Sequence, residues 1–221
     1  EEGDDVPPWD SLDPADQALY ARYMEVYAAM VDSVDQSVGR LHAALEELGE
    51  AENTIFVFLS DNGYSFGEHR WIGKRCPYDA CVRTPLVIRS PWTTAGSVEA
   101  PISNIDLAPT IVDLAGLGAE IADADGRSLR PLLDDSVAGS PGTGPVLIEF
   151  AGDAEVPAWR GVRTDAFSYL EHADGTVELY DIAGRLGPAD PWELRSRADD
   201  PSYAAVRRAL ATGLAELVGV R

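Results

Sequence analysis

The sequence predicts an α/β domain followed by a small antiparallel sheet with a C-terminal helix. A long amphipathic helix pattern precedes a short apolar run, and a second apolar run follows, which is typical of an α/β layer structure. Several short strand patterns then cluster towards the C-terminus. We therefore divide the chain into residues 1–145, an α/β portion, and residues 146–221, a small α+β subdomain.

The first helix has the clearest pattern in the sequence. From Tyr20 to Leu48, apolar residues recur at alternating steps of four and three, which places them on one stripe of a helix. Asp13 and Pro14 are suited to the N-cap and the first helical position, and Gly49 to the end of the helix.

Two apolar runs predict strands in the first part of the chain. Residues 54–60 are rich in β-branched and aromatic side chains and too short for a helix, which is typical of a buried strand of the parallel type. Residues 85–89 predict a second buried strand. Residues 103–114 predict a helix that is N-capped by Ser103 or Asn104 and ended by Gly116. Residues 118–145 have the composition of a surface connection.

The C-terminal part has a different pattern. It contains short strand candidates and a final stretch with apolar residues at helical spacing, residues 203–218. Ala173-Asp-Gly-Thr176 has the composition of a hairpin turn. The strand candidates are residues 146–150, 160–163, 167–170 and 177–180.

The charge balance limits the possible partners. The net charge is −21, from 38 acidic and 17 basic residues, which argues against nucleic acid because binding a polyanion requires clustered cations. An anionic substrate would need a local positive charge from a divalent cation or a lysine. No apolar run reaches transmembrane length, and we expect no membrane span. The sequence leaves the compartment open.

Cys76 and Cys81 are the two cysteines of the chain. Two cysteines are too few for a disulfide framework, and their spacing is not that of a CxxC motif. Neither has an adjacent base signature, so we interpret both as small, buried hydrophobic residues.

Asp61, Asn62 and Gly63 directly follow the first predicted strand. A carboxylate next to an amide offers hard oxygen ligands, which suit Ca²⁺ or Mg²⁺, and Gly63 would let the backbone turn so that both side chains face one point. Taken alone, the same tripeptide is more often a simple turn. His69 could protonate a leaving group and Lys74 could hold an anionic oxygen, although each of them, taken singly, is more often an ordinary loop residue.

The order of these motifs resembles the sulfatase family. Residues 53–63 resemble the family's strand that ends in Ser-Asp-Asn-Gly, and further landmarks follow in the family's order along nearly the whole chain. These landmarks are Val38–Leu41, Gly67–His69, Trp71, Lys74, Tyr78, Arg83–Pro85, Ser103–Thr110, Asp125–Leu129, Glu178–Asp181, Asp190–Pro191 and Glu193–Leu194.

The resemblance implies part of an alkaline-phosphatase-like α/β/α sandwich and the hydrolysis of small-molecule or saccharide sulfate esters. It implies a metal ion, Ca²⁺ in preference to Mg²⁺, with Asp61 and Asn62 among its ligands, and a formylglycine nucleophile. Lys74 would contact the sulfate oxygens. His69 would be a substrate contact or a proton donor.

The sequence departs from the family at the nucleophile. The family's Cys/Ser-x-Pro-x-Arg segment does not occur here, nor do its paired N-terminal aspartate ligands. We therefore expect a fragment of a longer protein, inactive alone, which would self-associate through an exposed sheet edge. The alternatives are a phosphate or phosphonate ester hydrolase of the same superfamily and a non-catalytic sulfatase-like binding protein.

Overall fold

The computed structural model describes residues 6–91, 93, 95–117, 121, 124–133 and 144–219. Most of the predicted surface connection at 118–145 therefore lies outside the described residues. Within them, the helices are α1 (Pro14–Glu47), α2 (Asp79–Val82), α3 (Leu107–Leu114), α4 (Arg130–Leu133) and α5 (Ala204–Gly219). The strands are β1 (Phe56–Leu59), β2 (Ser65–Phe66), β3 (Ile72–Gly73), β4 (Leu86–Arg89), β5 (Val146–Phe150), β6 (Trp159–Arg163), β7 (Phe167–His172) and β8 (Val177–Asp181).

The chain forms two compact units. The first consists of the described parts of residues 1–60, 66–72 and 85–92, and the second of those of residues 61–65, 73–84 and 93–221. The units group residues by spatial contact, whereas the boundary at residue 145 divides the sequence into segments. That boundary stays a prediction.

In the first unit, α1 begins where the sequence predicts. The Asp13 carboxylate accepts hydrogen bonds from the backbone N–H groups of Ala15 and Asp16, at 2.8 and 2.9 Å, which satisfies two donors that the helix itself leaves unpaired. None of the α1 side chains is fully buried, and much of the predicted apolar stripe is exposed. Part of the helix packs on Phe66, whose ring centroid lies 4.5 Å from that of Tyr27.

The two predicted strands of the first unit form, but the interpretation of β1 as a buried strand of the parallel type is wrong. β1 pairs with β4 in antiparallel register, with Phe56 opposite Arg89 and Leu59 opposite Leu86. No β1 side chain is fully buried, and Leu59 is 41% exposed. A continuous apolar run identifies a strand but does not fix the direction of its partner, which lies some thirty residues further along the chain.

In the second unit, β5, β6, β7 and β8 form an antiparallel sheet in chain order, as the sequence predicts. The predicted hairpin turn connects β7 to β8, with Gly175 at a φ of 89° and the His172 N–H donating to the Thr176 carbonyl at 2.9 Å. The predicted terminal helix α5 packs on the sheet. The shared core contains Val162, Tyr169, Leu179, Ala198, Tyr203 and Leu214.

The predicted helix at 103–114 also forms in the second unit. A 3₁₀ turn at Asn104–Asp106 leads into α3, and Ser103 and Asp106 cap each other's backbone N–H groups in a capping box. Gly116 follows the helix with a φ of 67°, a conformation that favours glycine. None of the helices in the described ranges is both long and apolar enough to cross a bilayer.

Candidate functional site

Asp61, Asn62 and Gly63 form a polar segment without regular secondary structure in the second unit. The Asn62 N–H donates to Asp61 Oδ1 at 2.9 Å, and Asn62 Nδ2 donates to the Gly63 carbonyl at 2.8 Å. Both interpretations of the tripeptide, a simple turn or part of a metal site, therefore stay open. The two hydrogen bonds use nitrogen atoms of Asn62 and not its side-chain oxygen, which is the atom that would bind a metal.

Lys74 contacts that amide oxygen. Its Nζ lies 3.3 Å from Asn62 Oδ1, and both residues belong to the second unit. Lys74 is also the single lysine of the sequence. The structure thus brings together two of the predicted site residues, a cationic donor and an oxygen ligand, beside Asp61. The catalytic and metal-binding roles of these residues stay predictions.

His69 belongs to the first unit and is half-buried. It lies in a short 3₁₀ turn, Glu68–Arg70, with a φ of 51°, and the following Arg70 has a φ of 59°. Two consecutive non-glycine residues in the left-handed region are uncommon and are found where surrounding contacts hold the backbone. The role of His69 as proton donor or substrate contact stays a prediction.

Gly63 is required by close packing. A Cβ atom on Gly63 would lie 2.3 Å from the Ala80 carbonyl oxygen, far inside van der Waals contact, and the Gly63 N–H donates to the Cys81 carbonyl at 2.8 Å. The sequence suggests a glycine for turning the backbone. The structure adds that α2 lies directly against this position, so no larger residue fits.

The interpretation of Cys76 and Cys81 as separate hydrophobic residues is wrong, because they form a disulfide. Both are buried, as expected. The short helix α2 folds the chain back so that the two Cα atoms lie 5.6 Å apart, within the range that a disulfide requires. The spacing of the cysteines gives no sign of this, since the bond depends on a helix of only four residues. The disulfide closes a small loop directly after Lys74.

The donor chemistry of Asp61 and Asn62 fits a hard divalent cation, but only as part of a ligand set. Calcium takes about 6–8 oxygen ligands, of which these two residues could supply only a minority. Within the described ranges, His, Cys, Asp and Glu side chains form no group of three or more that could hold a metal ion.

Arg75 is neutralised by two carboxylates. One guanidinium nitrogen lies 2.8 Å from Asp153 and the other 2.8 Å from Glu155, as expected for a surface ion pair. The hydrogen bond from Arg75 lowers the pKa of Asp153 to about 2, with further help from backbone N–H donors. The Arg75 carbonyl in turn accepts a hydrogen bond from Trp159 Nε1 at 2.8 Å.

Sequence reasoning missed two buried carboxylates that contact the segment after Lys74. Glu193 accepts a hydrogen bond from the Asp79 N–H at 2.8 Å, and Glu178 accepts one from the Tyr78 hydroxyl at 3.2 Å. Both glutamates lie among the C-terminal landmarks, which could have drawn attention to them. Nothing in the local sequence shows that they are buried.

Comparison with known proteins places the chain in a family. Residues 4–117 match the family model described as Sulfatase, and residues 67–219 match the model described as N-sulphoglucosamine sulphohydrolase, C-terminal. An N-acetylglucosamine-6-O-sulfatase of Bacteroides thetaiotaomicron is 36% identical over 204 residues, which cover 86% of this chain and 35% of that protein. The chain thus spans about a third of the length of this curated relative.

Solved structures agree with these matches. A protein in complex with its substrate D-glucosamine-2-N,6-O-disulfate has a TM-score of 0.77 and 32% identity, over 89% of this chain and 40% of that one. A phosphonate monoester hydrolase from Silicibacter pomeroyi has a TM-score of 0.77 and 33% identity, over 96% and 43%. They confirm the predicted fold class, part of an alkaline-phosphatase-like α/β sandwich followed by a small antiparallel sheet and a helix. The chain belongs to the sulfatase family.

Proposed function

We propose that the protein carrying this chain hydrolyses sulfate esters, and that Asp61, Asn62 and Lys74 form part of its active site. The observation that supports this most directly is the 3.3 Å contact between Lys74 Nζ and Asn62 Oδ1. It places a compact cation, which suits a sulfate oxygen, beside an oxygen that suits a divalent metal.

The chemistry assigned to each residue follows from its charge. The Lys74 ammonium would bind a sulfate oxygen and stabilise the negative charge that grows there as the ester bond breaks. Asp61 and Asn62 would be among the ligands of Ca²⁺, which would polarise the sulfate when bound. For His69, which belongs to the first unit, the proposed role is that of a substrate contact or a proton donor.

The nucleophile would come from outside these 221 residues. The Cys/Ser-x-Pro-x-Arg segment that the family resemblance associates with formylglycine does not occur in the sequence. We therefore propose that this chain supplies a cation, metal ligands and a C-terminal subdomain to a longer enzyme, and that the chain alone does not turn over sulfate esters.

The proposed substrate is a sulfated amino sugar. One relative is an N-acetylglucosamine-6-O-sulfatase, and one similar structure contains D-glucosamine-2-N,6-O-disulfate. These names describe those proteins, and they support a saccharide sulfate ester as the first substrate to test here.

The test is a steady-state assay of the intact protein on N-acetylglucosamine 6-sulfate, with and without chelator. Replacing one oxyanion-stabilising group typically costs about 10²–10³ in kcat, so Lys74→Ala should lose activity on that scale. Arg130→Ala is the matched control, because Arg130 is an exposed cation of the same unit that pairs with Asp113. Full activity of Lys74→Ala, or equal losses in both variants, would contradict the proposal.

A phosphonate or phosphate ester is the second candidate, favoured by the similar structure of a phosphonate monoester hydrolase. Sulfate, phosphate and phosphonate monoesters of one phenol would separate the two candidates, since the leaving group is then constant. A higher kcat/KM on the phosphorus esters would favour the second candidate. Absence of calcium binding, together with no turnover of any ester, would instead favour a non-catalytic protein.

A further inference from the structure

The segment that carries Lys74 packs against the four-stranded sheet at several points, all inside the second unit. Trp159 of β6 donates its indole N–H to the Arg75 carbonyl at 2.8 Å. Arg163 of β6 forms an ion pair with Asp79 at 3.1 Å, and both side chains are about 19% exposed. The sheet therefore contacts the backbone just before the disulfide loop and a side chain within the loop.

Glu193, which follows the sheet in the chain, makes a further contact with this segment. The residue is only 2% exposed, and its Oε2 accepts a hydrogen bond of 2.8 Å from the Asp79 N–H at the start of α2. Glu193 has a φ of 54°, a left-handed conformation that is unusual for glutamate and indicates that surrounding contacts fix its direction. A buried carboxyl on a backbone donor is costly to leave unpaired, so the contact holds α2 firmly.

Glu178 of β8 makes a similar contact with Tyr78, the residue before Asp79. It accepts hydrogen bonds from the Tyr78 hydroxyl at 3.2 Å and from the Tyr180 hydroxyl, and it lies 2.9 Å from His172 Nε2. Burial opposes its ionisation, but the nearby His172 ring and the hydrogen bond from the Tyr180 hydroxyl lower its pKa below the ordinary value. The carboxylate is thus a charged acceptor that orients the Tyr78 hydroxyl.

These contacts reach the candidate site through α2. At its far end, the Cys81 carbonyl accepts the Gly63 N–H at 2.8 Å, and Gly63 has no space in which to move towards Ala80. The disulfide joins Cys81 to Cys76, and Cys81 Sγ lies 3.4 Å from the Gly73 carbonyl beside Lys74. A displacement of α2 would therefore move Gly63, which is next to Asn62. It would also move the segment around Lys74, through the disulfide and the contact with Gly73.

We propose that Glu193 and Glu178 are positioning residues, through which the C-terminal part of the second unit holds Lys74 and Asn62 in place relative to each other. Neither glutamate would touch the substrate. Glu193 fixes the first residue of α2, Glu178 fixes Tyr78, and α2 with the disulfide fixes the two partners of the 3.3 Å contact. Only the kinetic consequence of this arrangement rests on the proposed function.

The first test measures position without activity. Amide hydrogen exchange of Gly63 in the intact protein reports the hydrogen bond to Cys81, and Glu193→Ala should speed it by roughly tenfold, as local opening becomes easier. Glu193→Gln keeps an acceptor for the Asp79 N–H and should restore slow exchange. Asp181→Asn is the matched control, because Asp181 is also a buried carboxylate and lies on β8. It accepts hydrogen bonds from Arg185, Leu186, Gly187 and Tyr203, none of which belongs to α2.

Tyr78→Phe gives a milder second variant, since it deletes only the hydroxyl that contacts Glu178. It should speed Gly63 exchange in the same direction, and it keeps the test decisive if Glu193→Ala does not fold. Unchanged Gly63 exchange in the folded Glu193→Ala or Tyr78→Phe protein would overturn the positioning proposal. Equal acceleration in Asp181→Asn would also overturn it, because the effect would then be general destabilisation.

The second test is a double-mutant cycle on kcat with Lys74→Ala. If Glu193 acts through Lys74, Glu193→Ala should lower kcat by about tenfold in the wild-type background and by a clearly smaller factor in the Lys74→Ala background, where only the effect on Asn62 remains. Equal effects in both backgrounds would refute the action through Lys74. Absence of any esterase activity in the wild type would refute the proposed function, while Gly63 exchange would still decide the positioning role.

Discussion

Replacing Glu193 by glutamine should change how the stability of the protein depends on pH. Burial is the main cause that raises the pKa of Glu193 to about 7, helped by the nearby Asp79 carboxylate and opposed by the Asp79 N–H, Ser168 and Arg163. The native protein thus keeps a proton on Glu193 that an exposed glutamate in the unfolded chain would lose. The glutamine amide of the Glu193→Gln variant does not titrate in this range.

The sign and size follow from linkage. Because the native pKa lies above the ordinary value of 4.5, the contribution of Glu193 to stability is complete below pH 4.5 and is lost as the pH rises through 7. A pKa difference of one corresponds to about 1.4 kcal/mol, so the loss amounts to roughly 3 kcal/mol. The difference in free energy of unfolding between Glu193→Gln and the wild type should therefore shift by about that amount in favour of the variant as the pH rises from 4.5 to 8.

Urea unfolding of both proteins at pH 5, 6, 7 and 8 would measure this difference. Carboxylates with lowered pKa values, such as Asp153 and Asp181, have the opposite pH dependence but are present in both proteins and cancel. Two stability curves that run parallel across this range would show that Glu193 titrates normally, and the reasoning from burial would fail.

Further predictions concern the covalent and local structure. Thiol titration should find neither cysteine free before reduction. Replacing both Cys76 and Cys81 by Ser should lower the free energy of unfolding by about 2 kcal/mol, because the unfolded chain is no longer constrained by the closed loop. Gly63→Ala should lower stability by about 1–3 kcal/mol because of the backbone clash, whereas Gly39→Ala, with open space around it in α1, should raise stability by about 0.5–1 kcal/mol. Asp13→Ala should cost about 1 kcal/mol by removing the N-cap of α1. Denaturation midpoints check each value, and an unchanged midpoint would contradict it.

Local signals in the sequence were sufficient for most of the fold. The cap at Asp13, the capping box that begins at Ser103 and the hairpin glycine at Gly175 each depend on residues a few positions apart, so short patterns identify them. The direction of β1 relative to β4 depends instead on a partner outside any short window. The disulfide depends on the three-dimensional path of α2, and so neither could be read from spacing.

The candidate site shows the same division. Polar residues after a strand, and the order of landmarks along the chain, were enough to select Asn62 and Lys74, which the structure brings to 3.3 Å. The residues that hold them there were not visible, because Glu193 is 114 positions from Asp79 and Glu178 is 100 positions from Tyr78. A sequence pattern identifies a chemical group more readily than it identifies the packing that fixes the group in space.

The charges around Lys74 explain why its position should matter. The chain carries a net charge of −21, so an anionic substrate is repelled except where a cation is placed for it. Arg75 is adjacent in sequence, but its guanidinium is already held by Asp153 and Glu155, each at 2.8 Å. Arg75 therefore cannot replace the Lys74 ammonium without breaking two ion pairs. A small displacement of Lys74 would leave an anionic substrate without a nearby cation. The contacts of Glu193 and Glu178 would prevent this displacement.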